Sequence, residues 1–210
     1  VPGGGRVYLV DDDASVRRAL TRLLRAAGID VVSYPSAVAL LTELSVDQPS
    51  CVVADLRMPG LTGLDLQDEL RRRGLDLPLL FISGHADVPS SVRAMKGGAV
   101  DFLEKPVADT VLIEAVQRAL ARHRERQTEQ SEKAVLERRL ARLTPREKQV
   151  FALVASGLLN KQVGYELGAT EKTIKVHRGR VMEKMEAESL ADLVRMAGRL
   201  GIAATPPRSH

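Results

Sequence analysis

Over residues 1–120 the chain alternates five short strand-like runs with helical patterns, and this alternation most limits what it can fold into. The runs are Val7–Val10, Val31–Tyr34, Cys51–Ala54, Leu79–Ile82 and Asp101–Leu103. Most are continuous apolar segments, as expected of parallel strands covered on both faces. Between the first two, Val16, Leu20, Leu23, Leu24 and Ala27 fall on one helical face, and Gly28 follows as a stop signal. Five β-then-α units predict a doubly wound, five-stranded parallel α/β domain ending near residue 120.

Residues 121–143 carry a different pattern. The stretch His123–Lys133 has no large apolar residue, and no Pro or Gly occurs between Val107 and Leu143. Propensity favours a helix continuing the last helix of the α/β domain, a solvated linker without a coiled-coil seam. Val135, Leu136 and Leu140 remain available to dock on a neighbouring surface. From residue 144 to 202 the pattern is all helical. Thr144-Pro145-Arg146-Glu147 forms a capping box with Pro at the first helical position. Thr170 and Ser189 cap later helices, and Gly157 and Gly168 punctuate the turns. Four short helices of helix-turn-helix type are predicted. The tail 203–210, with Pro206-Pro207, is expected to be disordered.

Composition separates the two halves further. Residues 1–120 hold 16 Asp+Glu against 13 Lys+Arg, and the remainder holds 11 against 18. An acidic first half and a basic second half point to two tasks, the second with an anionic partner. No apolar run approaches the ~18 residues of a membrane helix, and no signal peptide is evident at the N-terminus. A single cysteine, Cys51, excludes an internal disulfide and a multi-Cys zinc site, which predicts a cytoplasmic protein. Aromatic residues make up 3% with no Trp, against a base-stacking single-strand binder.

Acidic residues mark the strand ends. Asp11, Asp12 and Asp13 follow the first strand and Asp55 the third, while Ser83 ends the fourth and Lys105 follows the fifth. Ligands of such sheets bind beyond the carboxyl ends of the strands. An Asp after a strand is often only a helix cap, and Asp12 or Asp13 has that alternative. Taken together, three or four carboxylates, a hydroxyl and an ammonium at one edge suit a hard cation such as Mg²⁺.

The segments VYLVDDD, VVADLRMPGLTGLDL, LFISGHADV and AVDFLEKP resemble the receiver domain of two-component response regulators over about residues 6–120. The resemblance implies that Asp55 accepts a phosphoryl group from a sensor histidine kinase. Asp12 would bind Mg²⁺ directly, Asp11 would assist, and the Arg57 carbonyl would be a further ligand. Ser83 and Lys105 would meet the phosphoryl group, and Phe102 matches an aromatic switch position. The Lys105–Pro106 bond matches one that is often cis. Val92 and Lys96, on the fourth helix, become candidates for a dimer contact made after phosphorylation.

In the basic half, Ile174, Val181 and Met185 form an inward stripe of the helix Glu171–Met185, opposite Lys172, Lys175, Val176, Gly179 and Arg180. A cationic face around a small residue and one Val suits the DNA major groove, although an isolated basic helix is more often just a solvated face. LTPRE, LVASGLLNKQVGYELG and TEKTIKVHRGRVMEKM resemble the LuxR-type helix-turn-helix over about residues 143–202. This implies a scaffold helix from Lys161 to Leu167, a recognition helix from Glu171 to Met185, and double-stranded DNA contacts by Lys161, Thr173, Lys175, Val176, Arg180 and, more weakly, Lys184. His177 is expected to be a satisfied core or phosphate-contacting residue. Gly164 departs from the usual Ala, which would weaken the scaffold helix or allow closer packing. Leu190 and Val194 on the last helix would support dimerisation.

Together the two halves resemble the FixJ/NarL type of response regulator. That resemblance implies a transcription factor, mostly of activators, that dimerises when phosphorylated, reads an inverted repeat in promoter DNA and works with RNA polymerase, with no membrane partner. An Mg²⁺-dependent phosphatase is the competing enzyme reading. No GxSxG, GxxxxGK[ST] or HExxH motif supports it, and Gly3–Gly5 precede the first strand. A protein-interaction module that no longer binds DNA is the second alternative.

Overall fold

The computed structural model describes residues 4–84 and 88–202. The part of the GHADVP motif at 85–87, Gly3 and the tail 203–210, for which disorder was expected, lie outside the described residues.

Five strands, β1 (Arg6–Val10), β2 (Asp30–Tyr34), β3 (Ser50–Asp55), β4 (Leu79–Ser83) and β5 (Asp101–Glu104), form one parallel sheet in the order β2-β1-β3-β4-β5. In β1, Val7 lies between Val31 of β2 and Cys51 of β3. Side chains alternate between faces at a period of two. Tyr8, Val10, Val52, Ala54 and Phe81 pack on one face with α2 (Ala37–Glu43), α3 (Gly63–Arg72) and α4 (Val88–Lys96). Val7, Leu9, Val53, Leu80 and Ile82 pack on the other with α1 (Ala14–Ala26) and the start of α5 (Asp109–Ala141). Burial on both faces explains why β1, β3 and β4 are apolar almost throughout, whereas the edge strands β2 and β5 are partly exposed and carry polar residues.

The helix ends follow their chemistry. Asp13 caps α1 by accepting from the amides of Ser15 and Val16. Gly28 ends the turn after α1 with φ +77°, in the left-handed region open to glycine. Thr62 and Asp65 form a capping box at α3 that the sequence reading did not assign.

The helix α5 is 33 residues long, and the two compact units of the chain divide within it, between Gln127 and Thr128. Residues 121–141 continue this helix and are mostly exposed, with His123 and Leu136 the buried exceptions. His123 is buried, and its Nδ1 accepts from the Ser50 amide at 2.7 Å. Further along, Leu136 is buried and Leu140 packs against the core of the second unit. Leu136 and Leu140 are two of the three apolar residues read as available to dock, whereas the polar run around His123 concealed its burial.

The second unit contains α6 (Pro145–Ala155), α7 (Asn160–Leu167), α8 (Glu171–Met185) and α9 (Leu190–Arg199). Val150, Phe151, Val163, Ile174, Val181, Met185 and Leu193 fill its core. Thr144–Glu147, Thr170 and Ser189 cap α6, α8 and α9 as their residue types predict. At the end of α8, Glu186 takes a left-handed conformation (φ 56°), and its carboxylate pairs with Arg139 and Arg142.

Candidate functional sites

At the carboxyl edge of the sheet, β1 and β3 are neighbours while their following connections diverge, which opens a crevice. Asp11 at the end of β1 is 2% exposed. Its Oδ1 accepts from the Asp13 amide at 2.8 Å. Asp55 ends β3, and its Oδ2 accepts from the Arg57 amide at 2.9 Å. The Lys105 ammonium joins the two, donating to Asp11 Oδ2 at 2.9 Å and to Asp55 Oδ1 at 2.8 Å. Partial burial disfavours the ammonium, but its bonds to Asp55 and Asp11 outweigh that and raise its pKa above the ordinary 10.5. It is therefore a permanent cation at neutral pH.

Ser83 is 2% exposed at the end of β4, and its carbonyl accepts from the Lys105 amide at 2.8 Å. That bond fixes the point from which the lysine reaches across the crevice. The Lys105–Pro106 peptide bond is cis. Phe102 is half-buried beside Phe81, with ring centroids 6.2 Å apart and planes at 43°.

Gly63 belongs to this site although sequence reasoning passed over it. A Cβ there would stand 2.5 Å from the Asp55 carbonyl oxygen and 2.8 Å from Phe81. Only glycine lets α3 start this close to the acceptor strand. The signal was present as the Gly directly after Thr62 in GLTGLDL.

The expected carboxylate cluster is only partly assembled. Asp11 and Asp55 are brought together, Asp12 is exposed, and Asp13 is spent on its helix cap. Among the described residues, no three His, Cys, Asp or Glu side chains gather closely enough to hold a metal ion. The ammonium of Lys105 supplies the neutralising charge between the buried Asp11 and the partly buried Asp55. The donor set still has the right chemistry for a hard divalent cation, since carboxylate and carbonyl oxygens are what Mg²⁺ takes.

On α4, Val88, Val92 and Met95 are exposed and Ala94 faces the core. Lys96, the last residue of α4, is exposed as well and lines a cleft with Arg71 and Arg122.

In the second unit, α7 and α8 are joined by a tight turn. Gly168 takes the left-handed conformation there, and the Ala169 amide donates to the Gly164 carbonyl at 2.8 Å. A Cβ on Gly164 would lie 2.7 Å from the Ala169 oxygen, so this glycine serves close packing. Arg178 donates to Asn160 Oδ1 at 3.2 Å and ties α8 to the start of α7. That tie was not foreseen.

Ile174, Val181 and Met185 are fully buried, and the opposite face exposes Lys172, Thr173, Lys175, Val176, Gly179 and Arg180. Lys161 on α7 is exposed too. The Thr173 amide is capped by Thr170 Oγ1 at 3.2 Å, so Thr173 also helps to start α8. Two expectations need correction. Lys184 is committed to Glu147 at 2.6 Å, a carboxylate 2% exposed. The amine bond and the Thr144 backbone bond together hold Glu147 below the ordinary carboxylate pKa. Lys184 thus serves the interior of the bundle. His177 is not a satisfied core residue at Nδ1, which is buried without a hydrogen-bond partner among the described residues, and its phosphate-contacting alternative is untouched by this. On α9, Leu193 and Ala197 are buried, while Leu190 and Val194 form an exposed apolar pair one turn apart.

Comparison with known proteins settles the family. Residues 7–117 match the model of the response regulator receiver domain, and residues 141–197 match that of the bacterial regulatory proteins of the luxR family. The chain belongs to the two-component response regulators of the FixJ/NarL type. It is 52% identical over 198 residues to Nodulation protein W of Bradyrhizobium diazoefficiens, covering 94% of this chain and 87% of that protein. It is 43% identical over 197 residues to the transcriptional regulatory protein FixJ of Azorhizobium caulinodans, covering 94% and 93%. Among solved structures, the response regulator StyR superposes with a TM-score of 0.83 at 41% identity, covering 93% of this chain and 99% of that one. This FixJ/NarL-type chain is a transcriptional response regulator, with a receiver that implies a sensor kinase and a LuxR-type domain that implies DNA binding. No helix among the described residues is long and apolar enough to cross a membrane.

Proposed function

We propose that Asp55 is the phosphoacceptor of this regulator. The supporting observation is the single ammonium, Lys105, that contacts both Asp55 and the buried Asp11. An Asp55 carboxylate oxygen attacks the phosphorus of a kinase phosphohistidine in line. The new O–P bond forms as the N–P bond to the imidazole breaks. Lys105 stays charged and offers its protons to the arriving oxygens, so its contribution is electrostatic and already in position. Mg²⁺, held by Asp11, Asp12, Asp55 and the Arg57 carbonyl, would neutralise the remaining phosphoryl charge when bound. Ser83, at the adjacent strand end, would turn its hydroxyl toward the acyl phosphate.

The acyl phosphate adds about −1.5 to −2 of charge beside Lys105. Ser83 and Phe102 respond on β4 and β5, and this biases the α4 face toward pairing through Val92 and Lys96. Two protomers then present α8 to an inverted repeat, half-sites about one helical turn apart. Lys161, Thr173, Lys175, Val176 and Arg180 make the DNA contacts, and Leu190 and Val194 pair the DNA-bound domains. The dimer acts on RNA polymerase, in the cytoplasm, as an activator, and the receiver turns over no free substrate.

The test is Asp55→Asn. It should abolish labelling by a small phosphodonor and the accompanying gain in affinity for promoter DNA. Labelling that persists in the variant would remove Asp55 from the role.

A further inference from the structure

At the opposite edge of the sheet, where β4 and β5 begin, the first unit has a cleft of about 470 Å³ between α3, α4 and α5. That is the size of a small-molecule site. Four cations line it, Arg71, Lys96, Arg122 and Arg126, against one carboxylate, Asp76. Two of the cations are occupied. Arg71 donates to the Gly97 carbonyl, and Arg126 pairs with Asp76 at 2.7 Å. Lys96 and Arg122 have no hydrogen bond or ion pair among the described residues.

Uncompensated cations around a concavity with apolar walls focus a positive potential and attract anions. Leu75, partly exposed, supplies the apolar wall, with the buried Leu70 and Leu77 behind it. The backbone at Gly74 and Gly98 is bare, with nothing within 4 Å of where a side chain would start. Both glycines have positive φ, so larger residues are disfavoured there and the mouth stays open.

We propose that this cleft is a binding site for a phosphate-bearing small molecule of the nucleotide class. The phosphates lie against Lys96 and Arg122, and the ring-bearing body lies over Leu75. Guanidinium groups favour phosphate because their donors fit its oxygens two at a time. The apolar walls add contact area that inorganic phosphate cannot use. The inference does not need the role given to Asp55, because the two sites lie at opposite ends of the strands, but Lys96 is shared with the proposed pairing face of α4, so the unphosphorylated chain is the one to titrate.

The experiment is a titration of the full chain with ADP, pyrophosphate and a poly-glutamate peptide, followed through backbone amide resonances. EDTA is present throughout, so that no anion is drawn to a cation at the acceptor edge. ADP is expected to shift the amides of Gly74, Gly97 and Gly98 saturably, leaving Ser83 unmoved, and to bind more tightly than pyrophosphate. The double variant Lys96→Gln, Arg122→Gln should lose at least about tenfold in ADP affinity. Both residues are exposed, so its thermal unfolding should match the parent and separate lost binding from lost folding. Unmoved glycine amides at millimolar ADP would overturn the proposal. So would equal binding of pyrophosphate or poly-glutamate, or an unchanged affinity in the double variant.

Discussion

The acceptor edge of the receiver and the outer face of α8 use charge in opposite ways. At the acceptor edge, charges are sequestered and matched, with one ammonium holding Asp55 and the almost fully buried Asp11. On α8, Lys172, Lys175 and Arg180 are exposed, and none of them makes an ion pair among the described residues. A matched buried set responds to one added charge, because any new anion must displace or recruit the existing partner. An exposed unmatched set does little for folding and is available to an outside polyanion. The same residue types thus give a switch in one region and a docking face in the other, according to burial and pairing.

The comparison breaks most readily at Lys105. Lys105→Ala should strand Asp11 beside Asp55 and cost about 2–4 kcal/mol of receiver stability in EDTA, measured by urea unfolding. A loss under about 0.5 kcal/mol, the level of an exposed pair, would make the acceptor edge no different from the surface.

Lys184 sharpens the contrast within α8 itself. Lys184→Ala should lower the stability of the second unit by about 1–2 kcal/mol, since Glu147 is left buried without its cation. The salt dependence of DNA binding should not change. Lys175→Ala and Arg180→Ala should do the reverse, with stability held and the salt slope of log affinity reduced by about 1 each if they meet phosphates. Equal salt slopes for all three variants would erase the distinction.

The smallest effect concerns His123. Burial pushes its imidazole below the ordinary 6.5, against the nearby Asp76 carboxylate, which acts to raise it. The unfolded chain therefore binds the proton more readily than the folded one. Stability is full above about pH 6.5 and declines as the pH falls below it. The urea midpoint of the parent should drop by the equivalent of about 1 kcal/mol or less between pH 7.5 and 5.5, with the His123→Gln variant flatter over that window. A parent curve as flat as the variant's would remove His123 from the pH response.

Much of this molecule is legible from periodicity and caps. The five strands appeared within a residue of their ends, because most are short apolar runs closed by a polar residue. Thr144, Thr170 and Ser189 announced three helices through local chemistry that needs no tertiary partner. The inward stripe of α8 was legible because a helix repeats its faces every few residues. Reading failed where a side chain's role depends on what lies across from it. Lys184 and Arg180 look alike in sequence, yet one faces Glu147 and the other solvent. His123 sits in a polar run, and its partner, Ser50, is 73 residues away. Gly63 reads as an ordinary turn residue until the backbone oxygen beside it is placed, and only the Ala169 oxygen decides that Gly164 serves close packing.

The amino-acid order alone determined the α/β unit, the helical unit after it, and the family to which both belong, since these follow from local periodicity, capping and contiguous motifs. The tertiary structure decided which charges are matched. It joined Lys105 to Asp11 and Asp55, withdrew Lys184 from the DNA face, left Asp12 exposed and opened the basic cleft at the far edge. Pairing depends on distance in space and on the water excluded around it, and neither quantity is written in the spacing of residues along a chain.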